Sequence, residues 1–544
     1  MPEFKLKNLQ SLTLPPNSKT EYEIEGLPET KILLVNANDK IHALSPRCTH
    51  YGAPLVNGVV EGERITCPWH GACFNISTGD VEDAPALNSL HKFELIEKED
   101  GVYIRGEEAD IKSGSRNPVS GCTVSKEEEH VVVVGGGSGT LGLLHSLRAQ
   151  NYPGKITVIS KESPIAIDRP KLSKALIADA SKIAWRDAAW FKSAAIDNVT
   201  DEVTHVDFAA RKVSTSSGNS YTYTKLVLAT GGTPRTLPLS GFELGNVFTL
   251  RGVDDAQAIL DATSTQSEGE KKNIVVIGSS FIGMELANAL AKHNVSVVGM
   301  ESTPLERIMG TEVGKIFQAN LENNGVKFYL SASVSHASPS SASQGKVGAV
   351  HLKDGTTLPA DVVILGVGVR PATDFLTNNN GIALEKDGSI LTDENFAIPS
   401  LPDVFALGDI ATYPYHGPGG EGASVRIEHW TVAQNAGRAA GRAIVHALKG
   451  QEKLKPKRFI PVFWSALGGQ MRYCGNTVNG YDDVYITGKP EESKFVAYYF
   501  RGEVVVAVAT MGVDPVMAKC AALMRVGRMP GKKEVLGGVD VLGL

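Results

Sequence analysis

Along the first hundred residues the apolar positions come in short runs broken by turn residues. KILLVNA (31–37), VVEGERITC (59–67) and VYIRG (102–106) read as short strands, and no long amphipathic helix separates them. The pattern predicts an all-β domain over residues 1–106. A polar stretch containing GSRNPVSG and KEEE follows, and residues 107–129 are the best linker candidate in the chain. The texture then changes to alternating strands and helices. VVVV (131–134) runs into a glycine-rich turn, the apolar-periodic LGLLHSLRAQ and a second strand, KITVIS (155–160). The same order returns about 143 residues later as NIVVIG (273–278), a turn, MELANALAKH and VSVVGM (295–300). Such a repeat predicts two doubly wound, three-layer α/β domains, one inserted in the other. The first spans 130–255 and 379–453, and the inserted one spans 256–378. From residue 454 to 544 the runs FIPVFWSAL and KFVAYYFRGEVVVAVATMG predict a C-terminal α+β domain.

Composition narrows the classes. Over 544 residues, 42% apolar and 21% charged is ordinary globular usage, which excludes wholesale disorder. A net charge of −6 with no basic run argues against nucleic acid as a partner. No run of 18 apolar residues occurs, so no membrane span is expected. The opening MPEFKLKNLQSLTLPPNSKTEYEIEG reads as neither a secretory signal nor an Arg-rich transit peptide. A cytoplasmic location is therefore expected, with mitochondrial association left open. Six cysteines are too sparse for a disulfide scaffold and point to a reducing compartment, with some thiols reserved for metal or redox chemistry.

Two Cys-His pairs stand out. Cys48-Thr49-His50 is followed, after the 16 residues 51–66, by Cys67-Pro68-Trp69-His70. Zinc would take all four side chains tetrahedrally. A [2Fe–2S] centre with unlike irons would take both thiolates on one iron and both imidazoles on the other. Zinc motifs usually pair like with like along the chain, whereas here each turn supplies one of each, which suits the cluster. The pattern C-x-H-x16-C-x2-H, with Gly52 and Gly71 after the pairs, resembles the Rieske ferredoxin motif. That resemblance implies that Cys48 and Cys67 hold one iron and His50 and His70 the other. Energy-transducing members of the family cross-link these loops with two further cysteines; the corresponding slots here are Ala53 and Trp69. Cys73 lies outside the motif and reads as a small buried hydrophobe.

The two strand-to-helix turns suit pyrophosphates. In Gly135-Gly136-Gly137-Ser138-Gly139-Thr140, glycines permit a tight turn and close backbone approach, with Thr140 at the third fingerprint position. The acid expected near position 160 is missing: Ser160 stands there, and the nearest carboxylate is Glu162. The second turn reads Gly278-Ser279-Ser280-Phe281-Ile282-Gly283, with Ser280 in place of the middle glycine. Glu301 closes the next strand, where a carboxylate accepts hydrogen bonds from a ribose and repels a 2′-phosphate. No Arg or Lys occupies 302–305, so NADH is expected over NADPH. Glu306-Arg307 reads as a solvated helix start.

Residues 130 to about 470 resemble the two-dinucleotide flavoprotein reductases, in particular the apoptosis-inducing-factor and ferredoxin-reductase branch. The motifs are Asp168-Arg169-Pro170-Lys171-Leu172-Ser173-Lys174, Ala229-Thr230-Gly231-Gly232-Thr233-Pro234-Arg235, Gly366-Val367-Gly368-Val369-Arg370-Pro371 and Leu407-Gly408-Asp409-Ile410. The resemblance implies FAD in the first fold and NADH in the inserted one. It places Asp409 on the flavin ribityl chain, Arg169 and Lys174 along the isoalloxazine, and Glu285 near the nicotinamide, paired with Lys174. Thr230, Gly231 and Gly368 fall within its cofactor-binding segments. Glu428-His429-Trp430 and Phe463-Trp464 match segments bordering the flavin, with Trp464 as a candidate contact. The redox cysteine pair of the disulfide-reductase relatives is absent from LGLLHSLRAQ, so disulfide substrates are not expected.

Hydride carries two electrons, whereas a Rieske cluster takes one at a time, and a flavin exchanges with both. The sequence therefore predicts a relay from NADH through FAD to the cluster and on to an external acceptor, with an oxygenase, cytochrome, quinone or dioxygen all open. Lys174 and Glu285 are the candidate catalytic residues, Lys174 by stabilising reduced, anionic flavin. The alternative is a redox-responsive signalling or cell-death flavoprotein of slow turnover, and a cluster-bearing scaffold is a third reading.

Overall fold

In the computed structural model the described residues are 1–544 except 120, 266, 268, 378–380, 452–453 and 456–457. The N-terminal part is antiparallel β throughout. One sheet orders its strands Glu3–Lys5, Gly101–Arg105, Lys92–Lys98, Lys40–Leu44, Leu27–Ala37 and Lys19–Ile24. A smaller sheet runs Val59–Glu61, Arg64–Thr66, Cys73–Asn75 and Val81–Asp83. VVEGERITC is thus a hairpin rather than a single strand, turning at Gly62. Leu33, Val35, Leu55, Ile65 and Phe74 form a core into which Cys48 and Cys67 are packed. Residues 107–129 hold a short helix, Glu108–Ser113, and Arg116 bridges back to Ser89 before the next strand starts at Lys126.

Two parallel sheets follow. The first orders Asp197–Thr200, Gly154–Ser160, Lys126–Val134, Lys225–Leu228 and Leu401–Ala406, with Ala397–Ile398 antiparallel at its edge. Strands Lys225–Leu228 and Leu401–Ala406 are hydrogen-bonded neighbours although the second sheet lies between them in sequence. That second sheet orders Val247–Phe248, Val362–Leu365, Asn273–Ile277, Asn294–Val298 and Lys327–Tyr329. The outgoing and returning chain pair antiparallel as Gly232–Pro234 and Val369–Pro371. Continuous Val/Ile runs such as Val131–Val134, buried on both faces, are the mark of such strands.

Helix α1 (Ser138–Ala149) follows the first glycine turn and α2 (Phe281–Ala289) the second. A long helix, α3 (Trp430–Leu448), crosses α1 backbone to backbone. A Cβ on Gly437 would lie 1.9 Å from the Gly139 carbonyl oxygen, so only glycine permits this crossing. The C-terminal part is a five-stranded antiparallel sheet, Val462–Ala466, Gln470–Gly475, Val504–Met511, Lys494–Arg501 and Asp483–Lys489. Helix α4 (Val516–Val526) packs on it through Cys520, Leu523 and Met524.

The N-terminal β domain is docked on both neighbours. Val59 packs against Ala518 and Ala522, and Leu87 against Leu141 and Ala166. The Asn435 side-chain oxygen accepts from the Ala84 N–H at 2.9 Å, and Arg186 donates to the Asn88 side chain. Most buried is the ion pair Arg525–Asp83 at 2.9 Å, with side chains 9% and 10% exposed. Burial opposes both charges, and Arg525 is compensated from across the seam by Asp83. Arg525→Ala should therefore cost about 3 kcal/mol of docking stability by breaking this buried pair. Differential scanning calorimetry should show an earlier transition for the N-terminal domain, and trypsin should cut residues 107–129 faster; an unchanged trace would show that the pair contributes nothing.

Candidate functional site

The two ligand loops are built alike. Cys48 N–H donates to the Ala53 carbonyl and Gly52 N–H returns to Cys48, both at 2.9 Å. Cys67 N–H donates to Ala72 at 2.8 Å and Gly71 N–H returns to Cys67 at 3.3 Å. Each sulfur then accepts from the amides that follow it, Cys48 from His50 and Tyr51, Cys67 from Trp69 and His70. The sulfurs also meet each other. The hydrogen bond with Cys67 and burial push the Cys48 thiol up. Burial would raise Cys67 too, but the Cys48 S–H, the Trp69 and His70 amides and the nearby Arg472 hold it below its ordinary value. Amides and a guanidinium aimed at buried sulfur favour thiolate, the form that binds iron.

The imidazoles form the other pair, Nδ1 to Nδ1 at 3.0 Å. Burial keeps both neutral, His50 well below the usual range and His70 at about 3. Neutral rings with facing Nδ1 atoms are ready to ligate. The four residues thus stand as a sulfur pair and a nitrogen pair; among the described residues no three His, Cys, Asp or Glu side chains converge as they would on a single ion. A two-iron centre fits this set better than zinc does. No disulfide ties the loops, since none of the six cysteines is in a disulfide.

The first glycine turn leaves space for a ligand. Gly135 has φ +105°, and a Cβ there would strike the Ala229 carbonyl at 2.3 Å. Gly137 begins α1 with no capping side chain and open space beside it, so the helix N–H groups are free to meet an anion. Thr140 is fully buried, and its hydroxyl donates to the Gly135 carbonyl at 2.6 Å, bracing the turn. Asp409 lies at the end of strand Leu401–Ala406, 3.4 Å from the Arg251 guanidinium, which also crowds Gly231. Thr230 donates to the Ala372 carbonyl at 2.7 Å and thereby ties the end of the first sheet to the returning crossover; Gly368 sits in the same crossover. Arg169 pairs with Glu162 and donates to the Arg251 carbonyl. Glu162, the nearest carboxylate to the missing ribose acid, is therefore engaged by an arginine.

The second turn repeats the first with differences. Gly278 has φ +103°, Ser280 donates to the Gly366 carbonyl at 2.9 Å, and Gly283 packs against the same strand end. Glu301 accepts from Ser279 Oγ at 3.1 Å and pairs with Arg307 at 3.5 Å. Arg307 is thus a neighbour of Glu301 from outside the window 302–305, and Glu306 accepts from the Ser302 and Thr303 amides.

Between the turns the elements converge. Lys174 Nζ and Glu285 Oε1 pair at 2.9 Å, and Glu285 is 4% exposed. Ser173 and Ser465 both donate to the same carboxylate, Ser465 at 2.6 Å. Trp464, next to Ser465 and buried, has its ring 4.1 Å from that of His70 and 5.6 Å from Lys174 Nζ. His50 is stacked on Tyr51 at 3.7 Å and faces Trp185 at 5.5 Å, and its Nε2 is buried without a partner. Tyr51 donates across the seam to Asp168. Half-buried His429, pushed down to about 3 by desolvation, caps α3 and faces Phe463. Tyr51, Trp185, Arg251, Ser173 and Ser465 are the site-lining residues that sequence reasoning missed. Tyr51 directly follows the first ligand pair, and the two serines flank Lys174 and Trp464, which were the only local signals.

Comparisons with known proteins agree with this geometry. The Rieske [2Fe-2S] domain family matches residues 6–94 and the Pyridine nucleotide-disulphide oxidoreductase family matches 129–437. The chain is 38% identical to Apoptosis-inducing factor 3 of Homo sapiens, over 93% of this chain and 82% of that protein. It is 30% identical to the Benzene 1,2-dioxygenase system ferredoxin--NAD(+) reductase subunit of Pseudomonas putida, over 66% of this chain and 83% of that one. Among solved structures, the covalent putidaredoxin reductase–putidaredoxin complex superposes with TM-score 0.68 at 27% identity, covering 76% of this chain and 96% of the matched one. The chain belongs to the pyridine nucleotide-disulphide oxidoreductase family and carries a Rieske [2Fe-2S] domain ahead of it.

Proposed function

We propose that the protein oxidises NADH and relays the electrons through FAD and a Rieske cluster within one chain to an external acceptor. The observation that carries this reading is Trp464, a single buried ring between the cluster ligand His70 and the Lys174–Glu285 pair. When bound, FAD supplies the conversion between a hydride and single electrons, and the [2Fe–2S] cluster takes those electrons one at a time.

The chain's own residues do the rest. Cys48 and Cys67 would hold one iron, and His50 and His70 the other. Gly135, Gly137 and the start of α1 would take the flavin pyrophosphate, with Thr140 bracing that turn and Asp409 serving the ribityl chain. Gly278, Ser280, Gly283 and Glu301 would take NADH. Lys174 places a positive charge where reduced flavin carries a negative one, and Glu285 fixes the direction of that ammonium through its two serine donors. The closed seam of Tyr51, Trp185 and Trp464 keeps water from the histidine edge. Turnover is favoured over a slow signalling switch because ferredoxin–NAD(+) reductases of dioxygenase systems stand among the relatives. Those names also favour a ferredoxin- or oxygenase-type acceptor over a quinone or dioxygen.

Anaerobically purified protein should contain iron and inorganic sulfide and oxidise NADH rapidly with a one-electron acceptor; zinc without sulfide would overturn the reading. Cys67→Ser should remove the Rieske EPR signal and leave flavin bleaching by NADH intact. Trp464→Leu should slow cluster reduction by about tenfold or more, a barrier change of at least ~1.4 kcal/mol, at unchanged flavin reduction rate. Equal slowing of both steps would instead assign Trp464 to flavin binding. Glu301→Gln should raise KM for NADH about tenfold through loss of a charged hydrogen bond. It should also lower KM for NADPH, because Arg307 is then free for the 2′-phosphate; an unchanged cofactor ratio would remove Glu301 from the ribose site.

A further inference from the structure

A cavity of about 540 Å³ opens at the seam between the docked β domain and the C-terminal part, inside the size range of small-molecule sites. Asn17, Lys19 and the Gly58–Gly62 hairpin line it from the β domain, and Pro515, Lys519, Arg528 and Leu542–Leu544 line it from the C-terminal part. Its floor is the apolar contact of Val59 with Ala518 and Ala522. Its charged side chains are Lys19, Lys519 and Arg528 and one carboxylate, Glu61. Glu61 is already engaged by Arg528 at 2.9 Å and Lys519 at 3.9 Å, and Lys519 also donates to the Leu544 main-chain oxygen at 2.6 Å. Lys19 makes no ion pair or side-chain hydrogen bond among the described residues. Its ammonium is held below the usual lysine range by burial and by the neighbouring Lys519 charge. Helix α4 starts at the same wall, with Pro515 as its N-cap and no side chain capping it, so its first N–H groups add to the positive potential.

We propose that this cavity binds a small organic or inorganic polyanion, bearing phosphate or carboxylate groups, through Lys19, Lys519 and Arg528. An anion there removes the Lys19–Lys519 repulsion and contacts both domains at once. It thereby favours the docked arrangement by the affinity it gains from it. The hairpin that lines the cavity continues into Arg64–Thr66 and the Cys67 loop, so occupancy also braces the sulfur side of the ligand set. None of these residues belongs to the flavin, NADH or cluster site, so the proposal stands or falls separately from the relay.

The test is calorimetric titration of the holoprotein with pyrophosphate and, separately, with citrate, with NAD+ saturating so that the nucleotide turns are filled. One of the two should bind with one-site stoichiometry and raise the midpoint of thermal unfolding of the N-terminal domain. Lys19→Gln, which deletes a repelled cation and so should not destabilise the fold, should weaken that binding at least tenfold while leaving NADH oxidation unchanged. Arg528→Gln should weaken it as well. Pyrophosphate binding alone assigns the site to phosphate compounds, and citrate binding alone to polycarboxylates. Absence of binding by both probes, or binding equal in wild type and Lys19→Gln, overturns the proposal.

Discussion

The structure depends on a dry contact: the edge of the His50–His70 pair is pressed against Trp464, Tyr51 and Trp185. A buried imidazole without a partner is costly in an apolar surround, and His50 Nε2 is such an atom. The contact is tolerated because burial keeps both rings neutral and because their Nδ1 atoms face one another, where a metal would satisfy them together. Around it the two domains contribute unlike charges. Asp83 meets Arg525, Glu61 meets Arg528, and Asp168 receives the Tyr51 hydroxyl. Docking is thus written into complementary polar groups at several separate points, with small apolar contacts between them.

That seam lies over the place where the reductase elements meet. Glu285 comes from α2 of the inserted fold, Ser173 and Lys174 from the short helix Pro170–Lys174, and Ser465 from the C-terminal sheet. One carboxylate with three donors therefore ties three parts of the chain at a single point. The adjacent Trp464 packs between this point and the His70 ring. Tight crossing of α1 and α3 through Gly437 brings the start of α3, with His429, to the same region.

Local patterns were legible in the sequence where a short segment carries the whole device. The Cys-His pairs, the two glycine turns and the recurrence of strand, turn, helix and strand are of this kind, and their elements appear where the periodicity placed them. What escaped were contacts between segments remote in sequence. Arg251 beside Asp409, Tyr51 on Asp168 and Arg525 on Asp83 join residues 158, 117 and 442 positions apart, and no periodicity reports such pairings. Arg307 stands at the solvated helix start that its sequence predicts, but its pairing with Glu301 lies outside a linear window of 302–305. The polar segment 107–129 carried the signature of a tether, yet part of it is helical, because Ile111 finds an apolar surface to bury against.

The central claim is that electrons reach the cluster inside one docked chain. Its most direct measurement is anaerobic stopped-flow reduction by NADH, following flavin absorbance and the Rieske bands across a wide range of protein concentration. The account predicts flavin bleaching first, then cluster reduction at a rate independent of protein concentration. A cluster that reduces in proportion to protein concentration, or that stays oxidised while the flavin bleaches, would contradict it.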